Sequence, residues 1–544
     1  MKFALPKFFC RPSTLAIAFL PIPLILALLY PASFWAIGDY EPHSLANALN
    51  MAYRLADLKM YTPMGMSYHP GVPFYLMSWL ALALTGHPLG SDGIGLFNTL
   101  LDHIETFHLM MIFLGGIVGA AGIFVFARSA QTLVPADVTI SGIALWLFSL
   151  PATILTFVSP GIESFALLIN GLFFAVLVRL AYEPTLGRWI VILAGCVGAF
   201  AYLNKLAYVY VPLALFAAIV VKLVFARTDR RRAALLVSLT VLSFVSAVLA
   251  VAVFVIGWRG FQSVLMFHMQ VILGSGLYGA GERTVVDGSA VWNTLTAIPA
   301  ERAYAVPLAL IGGIGLGIGG LVTAFKKPEQ LPVAVLSIGA AVAASLSALS
   351  VLKHYTDHYT AAVSATLPVC IIAGYLLAKA WACRIEATYS LVVIVAALLM
   401  VYPVAGSIAA RLTFYSEQSR LAREDMQQIT ALTAGSSRAT YYTYRSPFAQ
   451  FGEGFVIDFA SIPRLTEAFL QSRPDVLNTL TAGKSSKEVG AREVGSYVID
   501  KKYFSSADRV QNAPNLDLLG TKPVTYREGD RLIELRTVFL LVRQ

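Results

Sequence analysis

A few ionisable side chains interrupt a sequence that is otherwise strongly apolar. Asp39 and Glu41 follow the first long apolar run, and Glu163 opens a later one. A carboxylate at a water–lipid boundary can take a proton from a hydroxyl group, which is general-base chemistry. Lys205 is the only lysine or arginine in residues 189–221, and an ammonium group is a point charge suited to phosphate. These residues could together activate a hydroxyl group and hold an anion.

Each of these residues also has a purely structural interpretation. Asp39 can mark the place where an apolar helix meets water, and Glu163 can open a helix at the same interface. Lys205 can be a snorkelling lysine, whose stem is buried while its ammonium group reaches the headgroups. If functional, Glu163 could hold a sugar, an acceptor or a metal ion. The residues alone leave these alternatives open.

A possible divalent-metal site is suggested by four residues close together in the chain. They are Asp102, His103, Glu105 and His108. Their spacing lacks the pair of histidines four residues apart that binds zinc on one face of a helix. We therefore favour a solvated helix end leading into a membrane span, with metal binding as the alternative.

Composition indicates which elements must position these residues. Hydrophobic residues make up 57% of the chain and charged residues 13%, about half the roughly 25% of a soluble domain. Apolar runs of membrane-spanning length recur from residue 13 to about 409. We predict an α-helical polytopic membrane protein with about eleven transmembrane helices in residues 1–410. Residues 411–544 return to soluble composition and predict a small C-terminal α/β domain.

The net charge of +9 comes from clusters in short loops between apolar runs, such as Arg230–Arg232 and Lys326–Lys327. Clusters of this kind orient a membrane protein, because basic loops stay in the cytoplasm. We therefore expect no nucleic-acid partner. The four cysteines lie in or beside apolar runs and predict no disulfide framework.

The order of spans and basic loops predicts the topology. Lys2, Lys7 and Arg11 precede an apolar run too long for a cleaved signal, so we expect a retained first helix and a cytoplasmic N-terminus. All basic loops then fall on the cytoplasmic side. The acidic residues above, all eight histidines and the C-terminal domain fall on the extracytoplasmic side, which is periplasmic in bacteria. The predicted spans are 15–35, 107–127, 138–157, 162–180, 188–204, 206–226, 234–257, 304–325, 331–351, 359–379 and 388–409.

Two long outer loops remain, residues 36–106 and 258–303. In the first loop we expect an amphipathic helix at 44–58 and an interfacial helix at 72–85, because the second run is apolar but too short to span. His69 lies between them in a proline-containing turn. In the second loop, 261–269 predicts another interfacial helix, followed by a glycine-rich hinge. Such loops could hold a lipid headgroup beside the bilayer.

The order of these features resembles the GT-C glycosyltransferases, which use polyprenyl-phosphate sugars. An acidic residue after the first span, a two-helix outer loop and a His-Pro-x-x-Pro-type turn support the resemblance. The relevant group includes the lipid A aminoarabinose transferases and the protein O-mannosyltransferases. The first loop departs from the family in having Asp39-Tyr40-Glu41 where many members have adjacent acidic residues, and His-Pro-Gly-Val-Pro replaces a tighter His-Pro-Pro. These departures concern the acceptor more than the fold.

The resemblance implies roles for individual residues. Asp39 matches the catalytic or acceptor-orienting carboxylate, with Glu41 as second choice. Glu163 matches an acidic residue that opens the fourth span, and Lys205 matches a lysine that contacts the donor phosphate. Further candidates for donor or substrate contacts are His69, Arg259, Lys353, His354 and Tyr359, the last three in a basic, tyrosine-containing turn.

The resemblance therefore implies sugar transfer from a polyprenyl-phosphate donor to a lipid, glycan or protein acceptor at the outer face of an inner membrane. Such a donor has a good leaving group. The reaction mainly requires an oriented, partly deprotonated hydroxyl and neutralisation of the charge growing on the phosphate. Two alternatives stay open: a non-catalytic transporter or flippase of lipid-linked glycans, and a membrane scaffold.

Overall fold

The computed structural model describes a largely helical chain with a C-terminal sheet. The described residues are 11–30, 71–85, 104–158, 162–274, 288–301, 303–353, 359–382, 386–434, 436, 438–442, 476–478, 494–501, 504–516 and 524–543. The α-helices are Pro12–Phe19, Pro21–Leu29, Val72–Leu84, Ile104–Ala130, Ala136–Phe148, Pro151–Val158, Ala166–Tyr182, Arg188–Asn204, Tyr210–Phe225, Arg230–Val251, Trp258–Leu273, Gly288–Glu301, Ala305–Lys326, Leu331–Lys353, Thr360–Ser364, Leu367–Trp381, Glu386–Thr433 and Ala507–Gln511.

Nine helical stretches among the described residues are long and apolar enough to cross a membrane. They are Pro12–Leu29, Thr106–Ala130, Glu163–Tyr182, Leu206–Phe225, Arg230–Val251, Ala305–Lys326, Pro328–Lys353, Thr360–Trp381 and Thr388–Thr433. The predicted fold class, a helical polytopic membrane protein with a small C-terminal α/β domain, is confirmed. The predicted number of eleven spans is not.

Two predicted spans are shorter helices in the structure. The predicted span 138–157 is two helices, Ala136–Phe148 and Pro151–Val158, because a proline disfavours helical backbone in the residue before it. The predicted span 188–204 is the helix Arg188–Asn204. Its 17 residues rise about 26 Å, less than the roughly 30 Å of a bilayer core.

The predicted interfacial segments are helices of sub-spanning length. Val72–Leu84 has 13 residues and Trp258–Leu273 has 16. Trp258–Leu273 follows Gly257, whose φ of 80° suits glycine because it has no Cβ to clash. The other predicted helix of the first outer loop, 44–58, lies outside the described residues.

Close helix packing sets the position of the helix Ala166–Tyr182. Gly122 of the helix Ile104–Ala130 lies against the backbone of Leu167, and Gly171 lies against the carbonyl group of Gly122. A Cβ atom at either glycine would overlap that backbone. The two helices are therefore in backbone contact near the start of Ala166–Tyr182, immediately after Glu163.

The chain divides into two compact units, residues 1–25, 68–74 and 112–409, and residues 26–67, 75–111 and 410–544. The second unit contains five strands, β1 Ala439–Tyr442, β2 Val476–Asn478, β3 Val494–Asp500, β4 Arg531–Glu534 and β5 Val538–Val542. They form one sheet in the order β2-β1-β3-β5-β4. Strands β2, β1 and β3 are parallel, whereas β3, β5 and β4 are antiparallel.

A buried carboxylate ties this sheet to the long helix Glu386–Thr433 within the second unit. Asp425 accepts hydrogen bonds from the backbone N–H groups of Arg536 (2.8 Å) and Thr537 (2.5 Å) and from the Thr537 hydroxyl (2.6 Å). Since Arg536 and Thr537 form the turn between β4 and β5, the helix and the turn are fixed to each other.

Candidate functional site

Glu163 lies in a short turn at the start of a buried helix. The 3₁₀ turn Ile162–Phe165 leads directly into the helix Ala166–Tyr182. The side chain of Glu163 is only 7% exposed. A carboxylate buried to this degree requires a compensating charge or several hydrogen bonds.

Lys205 supplies that charge from the break between two other helices. It ends the helix Arg188–Asn204 in extended backbone conformation and donates its N–H to the carbonyl of Ala201. The 3₁₀ turn Leu206–Tyr208 follows, and the Tyr208 N–H donates to the Lys205 carbonyl at 3.0 Å. The backbone on both sides of the lysine is therefore held in place.

The Lys205 ammonium group donates a hydrogen bond to the Glu163 carboxylate and forms a buried ion pair with it. The lysine side chain is 1% exposed. Burial lowers the pKa of Lys205, and the charge and hydrogen bond of Glu163 oppose that shift. Removing one partner of such a pair would leave an uncompensated buried charge, which costs roughly 3–5 kcal/mol.

Tyr359 also contacts the ammonium group of Lys205. The Lys205 Nζ atom lies 4.3 Å from the centre of the Tyr359 ring, a cation–π geometry. Tyr359 immediately precedes the short helix Thr360–Ser364. Glu163, Lys205 and Tyr359 were each predicted as site residues from separate parts of the sequence, and the fold brings the three together.

The proline-containing turn of the first outer loop also reaches this place. The N–H of Gly71 donates to the carbonyl of Asn204 at 3.1 Å, next to Lys205. Gly71 has a φ of 55°, a left-handed conformation that favours glycine. The histidine of this turn, His69, lies outside the described residues.

Of the other predicted site residues, only Lys353 has a described side chain. Asp39, Glu41 and His354 lie outside the described residues, and of Arg259 only the backbone is described, in the helix Trp258–Leu273. Lys353 ends the helix Leu331–Lys353 and donates to the carbonyl of Ile272 at 2.5 Å. This contact lies at the end of Trp258–Leu273, where a cation is favoured by the helix dipole.

Two tyrosines near Lys205 were not predicted. Tyr208 is 1% exposed, and its hydroxyl has no hydrogen-bond partner among the described residues. Tyr202 Oη lies 3.0 Å from Nδ1 of the buried His268. The sequence signal was available, because Tyr202, Tyr208 and Tyr210 surround Lys205 within nine positions.

The alternative metal site is only partly described. Asp102 and His103 lie outside the described residues, as does the side chain of Glu105. His108 is buried, with its ring 5.7 Å from that of Phe107. Within the described ranges, no group of three or more histidine, cysteine, aspartate or glutamate side chains is arranged to hold a metal ion.

Comparison with solved structures finds two of similar fold, both of ArnT from Cupriavidus metallidurans. The structure bound to undecaprenyl phosphate has a TM-score of 0.49 and 12% sequence identity, covering 97% of this chain and 98% of that chain. The apo structure has a TM-score of 0.47 and 12% identity, covering 96% and 97%. No family model and no curated protein matches the chain.

Proposed function

We propose that this protein is a membrane glycosyltransferase of GT-C type. It moves a sugar from a polyprenyl-phosphate donor to a lipid, glycan or protein acceptor at the outer face of the inner membrane. The observation that supports this proposal is the buried ammonium group of Lys205, held by Glu163 and Tyr359. These residues come from three distant parts of the chain, and the ammonium group among them is suited to a phosphate.

Lys205 lies at two helix ends with opposite dipoles. Its backbone ends the helix Arg188–Asn204, where the dipole favours a cation, and its ammonium group contacts Glu163 just before the start of the helix Ala166–Tyr182, where the dipole favours an anion. The ammonium group and the start of this second helix would both attract a phosphate, whereas the Glu163 carboxylate would oppose it.

In the proposed reaction, the bond between the sugar C1 atom and the phosphate oxygen breaks, and its electron pair leaves with the phosphate. A bond forms between C1 and the acceptor oxygen from the opposite side, which inverts the configuration. The acceptor proton passes to the carboxylate of Asp39, or of Glu41 if that residue is the base. The charge on the phosphate grows from about −1 in the diester to about −2 in the monoester.

Lys205 neutralises this growing charge, so it stabilises the late part of the reaction more than the bound donor. Glu163 positions the ammonium group and maintains its protonation. His69, Arg259, Lys353, His354 and Tyr359 are assigned to donor or substrate contacts. A divalent metal is not required by these steps.

The membrane domain comprises residues 1–410 in this proposal, and residues 411–544 form the extracytoplasmic domain that recognises the acceptor. The N-terminus is cytoplasmic. This orientation follows from the basic loops, and it places the predicted base at the same outer face as the lysine site.

The decisive test is an assay of sugar transfer from a polyprenyl-phosphate sugar by the full chain in nanodiscs. Replacement of Asp39 by asparagine should reduce transfer at least about 100-fold and leave binding of undecaprenyl phosphate intact. The matched variant Glu41→Gln should retain most of the transfer if Asp39 is the base. Full transfer by Asp39→Asn and loss by Glu41→Gln would reassign the base to Glu41.

A lipid-linked glycan transporter is the second candidate, because a buried ion pair inside a membrane domain is also typical of transport proteins. It predicts movement of the intact donor across vesicle membranes without release of polyprenyl phosphate. Release of polyprenyl phosphate together with glycosylated acceptor would exclude it. A scaffold predicts that Asp39 and Lys205 are both dispensable.

A further inference from the structure

Tyr208, three residues after Lys205, has a buried hydroxyl group with no hydrogen-bond partner among the described residues. It closes the 3₁₀ turn that follows Lys205, and its N–H donates to the Lys205 carbonyl at 3.0 Å. The residue is 1% exposed. Because an unsatisfied buried hydroxyl group is destabilising, a phenylalanine at this position would be the more stable choice in the unliganded protein.

Tyr210, two residues further along, shows that the surrounding fold can satisfy a buried tyrosine. Its hydroxyl donates to Oδ1 of Asn170 at 2.7 Å, and Nδ2 of Asn170 donates in turn to the Ala166 carbonyl. The rings of Tyr208 and Tyr210 are 6.2 Å apart. The two phenols are therefore neighbours with different hydrogen bonding. The hydroxyl of Tyr210 contributes to the packing of the fold, whereas the hydroxyl of Tyr208 makes no such contribution among the described residues.

The phenol of Tyr208 is a neutral donor in the turn that directly follows Lys205. Such an O–H group can give a hydrogen bond to a phosphate oxygen without changing the net charge of the site. Hydrogen bonding by the Glu163 carboxylate is directed to Lys205, and the Tyr208 hydroxyl has no hydrogen-bond partner among the described residues. Hydrogen bonds to a charged acceptor are stronger than those between neutral groups.

We propose that the Tyr208 hydroxyl donates a hydrogen bond to the phosphate of the lipid held by Lys205, and so binds the donor and its product. This inference rests on the proposed function. It assigns to the same site a second phosphate ligand, from the turn that follows the lysine.

The test compares Tyr208→Phe with Tyr210→Phe, each of which loses one oxygen atom. For Tyr208→Phe we expect unchanged or raised thermal stability, and about tenfold weaker binding of undecaprenyl phosphate in nanodiscs. For Tyr210→Phe we expect lower thermal stability, because Asn170 loses its donor, and unchanged affinity per folded molecule. Undecaprenol, which lacks the phosphate, serves as the second probe and should bind equally to Tyr208→Phe and to the unmodified protein.

Undiminished binding of undecaprenyl phosphate by Tyr208→Phe would overturn the inference while leaving the proposed function intact. Equal losses for undecaprenyl phosphate and undecaprenol would overturn it too, since they would indicate weaker binding of the lipid chain instead of a lost phosphate contact. Failure of the unmodified protein to bind undecaprenyl phosphate would instead refute the proposed function, and this inference with it.

Discussion

The two ends of the helix Ala166–Tyr182 each meet a buried lysine, but the two lysines are held in different ways. At the start of the helix, Lys205 contacts the Glu163 carboxylate and the Tyr359 ring. At the end, Lys222 donates to the carbonyls of Leu180 (2.7 Å) and Ala181 (3.0 Å), and also to that of Glu183. The two sites are separated by 17 helical residues, about 26 Å.

The difference separates a structural cation from a candidate functional one. Lys222 satisfies carbonyls at the negative end of a helix dipole, where a cation stabilises the fold. The ammonium group of Lys205 is at the opposite end of this helix and contacts the Glu163 carboxylate, while its backbone ends another helix, Arg188–Asn204. A ligand can also replace a side-chain partner, as at Lys205, more readily than it can replace helix carbonyls, as at Lys222. Inside a membrane those carbonyls would have no other hydrogen-bond donor.

The largest expected effect comes from replacing each lysine by methionine. Lys205→Met removes the cation proposed to stabilise the leaving phosphate, so sugar transfer should fall about 10²–10³-fold. Lys222→Met removes a helix cap, so it should lower the thermal stability in detergent while transfer per folded molecule stays largely unchanged. Both are measured as transfer by monodisperse protein. Equal losses of transfer would show that Lys205 only supports the fold.

Glu163→Gln tests the ion pair itself. The change leaves the Lys205 ammonium group buried beside a neutral amide, so we expect the free energy of unfolding to fall by about 3 kcal/mol. Thermal denaturation followed by tryptophan fluorescence measures this. The double variant Glu163→Gln, Lys205→Met should recover part of the loss, because it removes the unpaired charge. Additive losses in the double variant would mean that the two side chains are not coupled.

A pH dependence should be detectable at the Lys205 end through His268. Burial lowers the pKa of His268 to about 4, from an ordinary value of 6.5. His268 binds a proton less readily in the folded protein than in the unfolded chain. Its neutral form therefore contributes fully to the free energy of unfolding above about pH 6.5, and this contribution is lost as the pH falls toward 4. At about pH 5.5 the loss should be of the order of 1 kcal/mol.

Thermal denaturation between pH 7.5 and 5.5 measures this effect, with His268→Gln as the control. Glutamine can still bond to Tyr202 but does not titrate, so the variant should lose this part of the pH dependence. An unchanged pH profile in His268→Gln would assign the effect to other groups.

The smallest effect is expected at Tyr359. Tyr359→Leu removes the aromatic face beside the Lys205 ammonium group, so the affinity for undecaprenyl phosphate should fall about three- to tenfold. Tyr359→Phe keeps the ring and should bind nearly as well as the unmodified protein. If both variants lose affinity equally, the hydroxyl group is the important part of the side chain.

Much of the membrane architecture was predictable because it depends on local composition. Helices such as Arg188–Asn204 and Ala305–Lys326 begin and end within a few residues of the predicted bounds. The prediction of one continuous span at 138–157 was wrong. The residues on both sides of the break before Pro151 are equally apolar, so the hydropathy pattern did not indicate that the helix ends there. Length correctly identified the short helices at 72–85 and 261–269, but the predicted spans 138–157 and 188–204 are also shorter helices in the structure.

The candidate site was predictable only as a set of residue types. Glu163 and Lys205 were selected from their positions at the ends of apolar runs and from the family resemblance, and Tyr359 was selected from the resemblance alone. Nothing in their spacing indicated that the first two form an ion pair or that the ring of the third covers the ammonium group. Tyr208 was missed although it lies three residues from Lys205, because an aromatic residue in an apolar run is ordinarily a core residue.

The sequence by itself determined that the chain enters the membrane, where its helices lie and which residues have the chemistry to hold an anion. These properties follow from transfer of each segment between water and lipid, which depends on local composition. Only the tertiary structure decided that Lys205 pairs with a carboxylate whereas Lys222 bonds to helix carbonyls. It also decided that the Tyr208 hydroxyl has no hydrogen-bond partner among the described residues. Such pairings depend on contacts between distant segments, and helix packing determines those contacts.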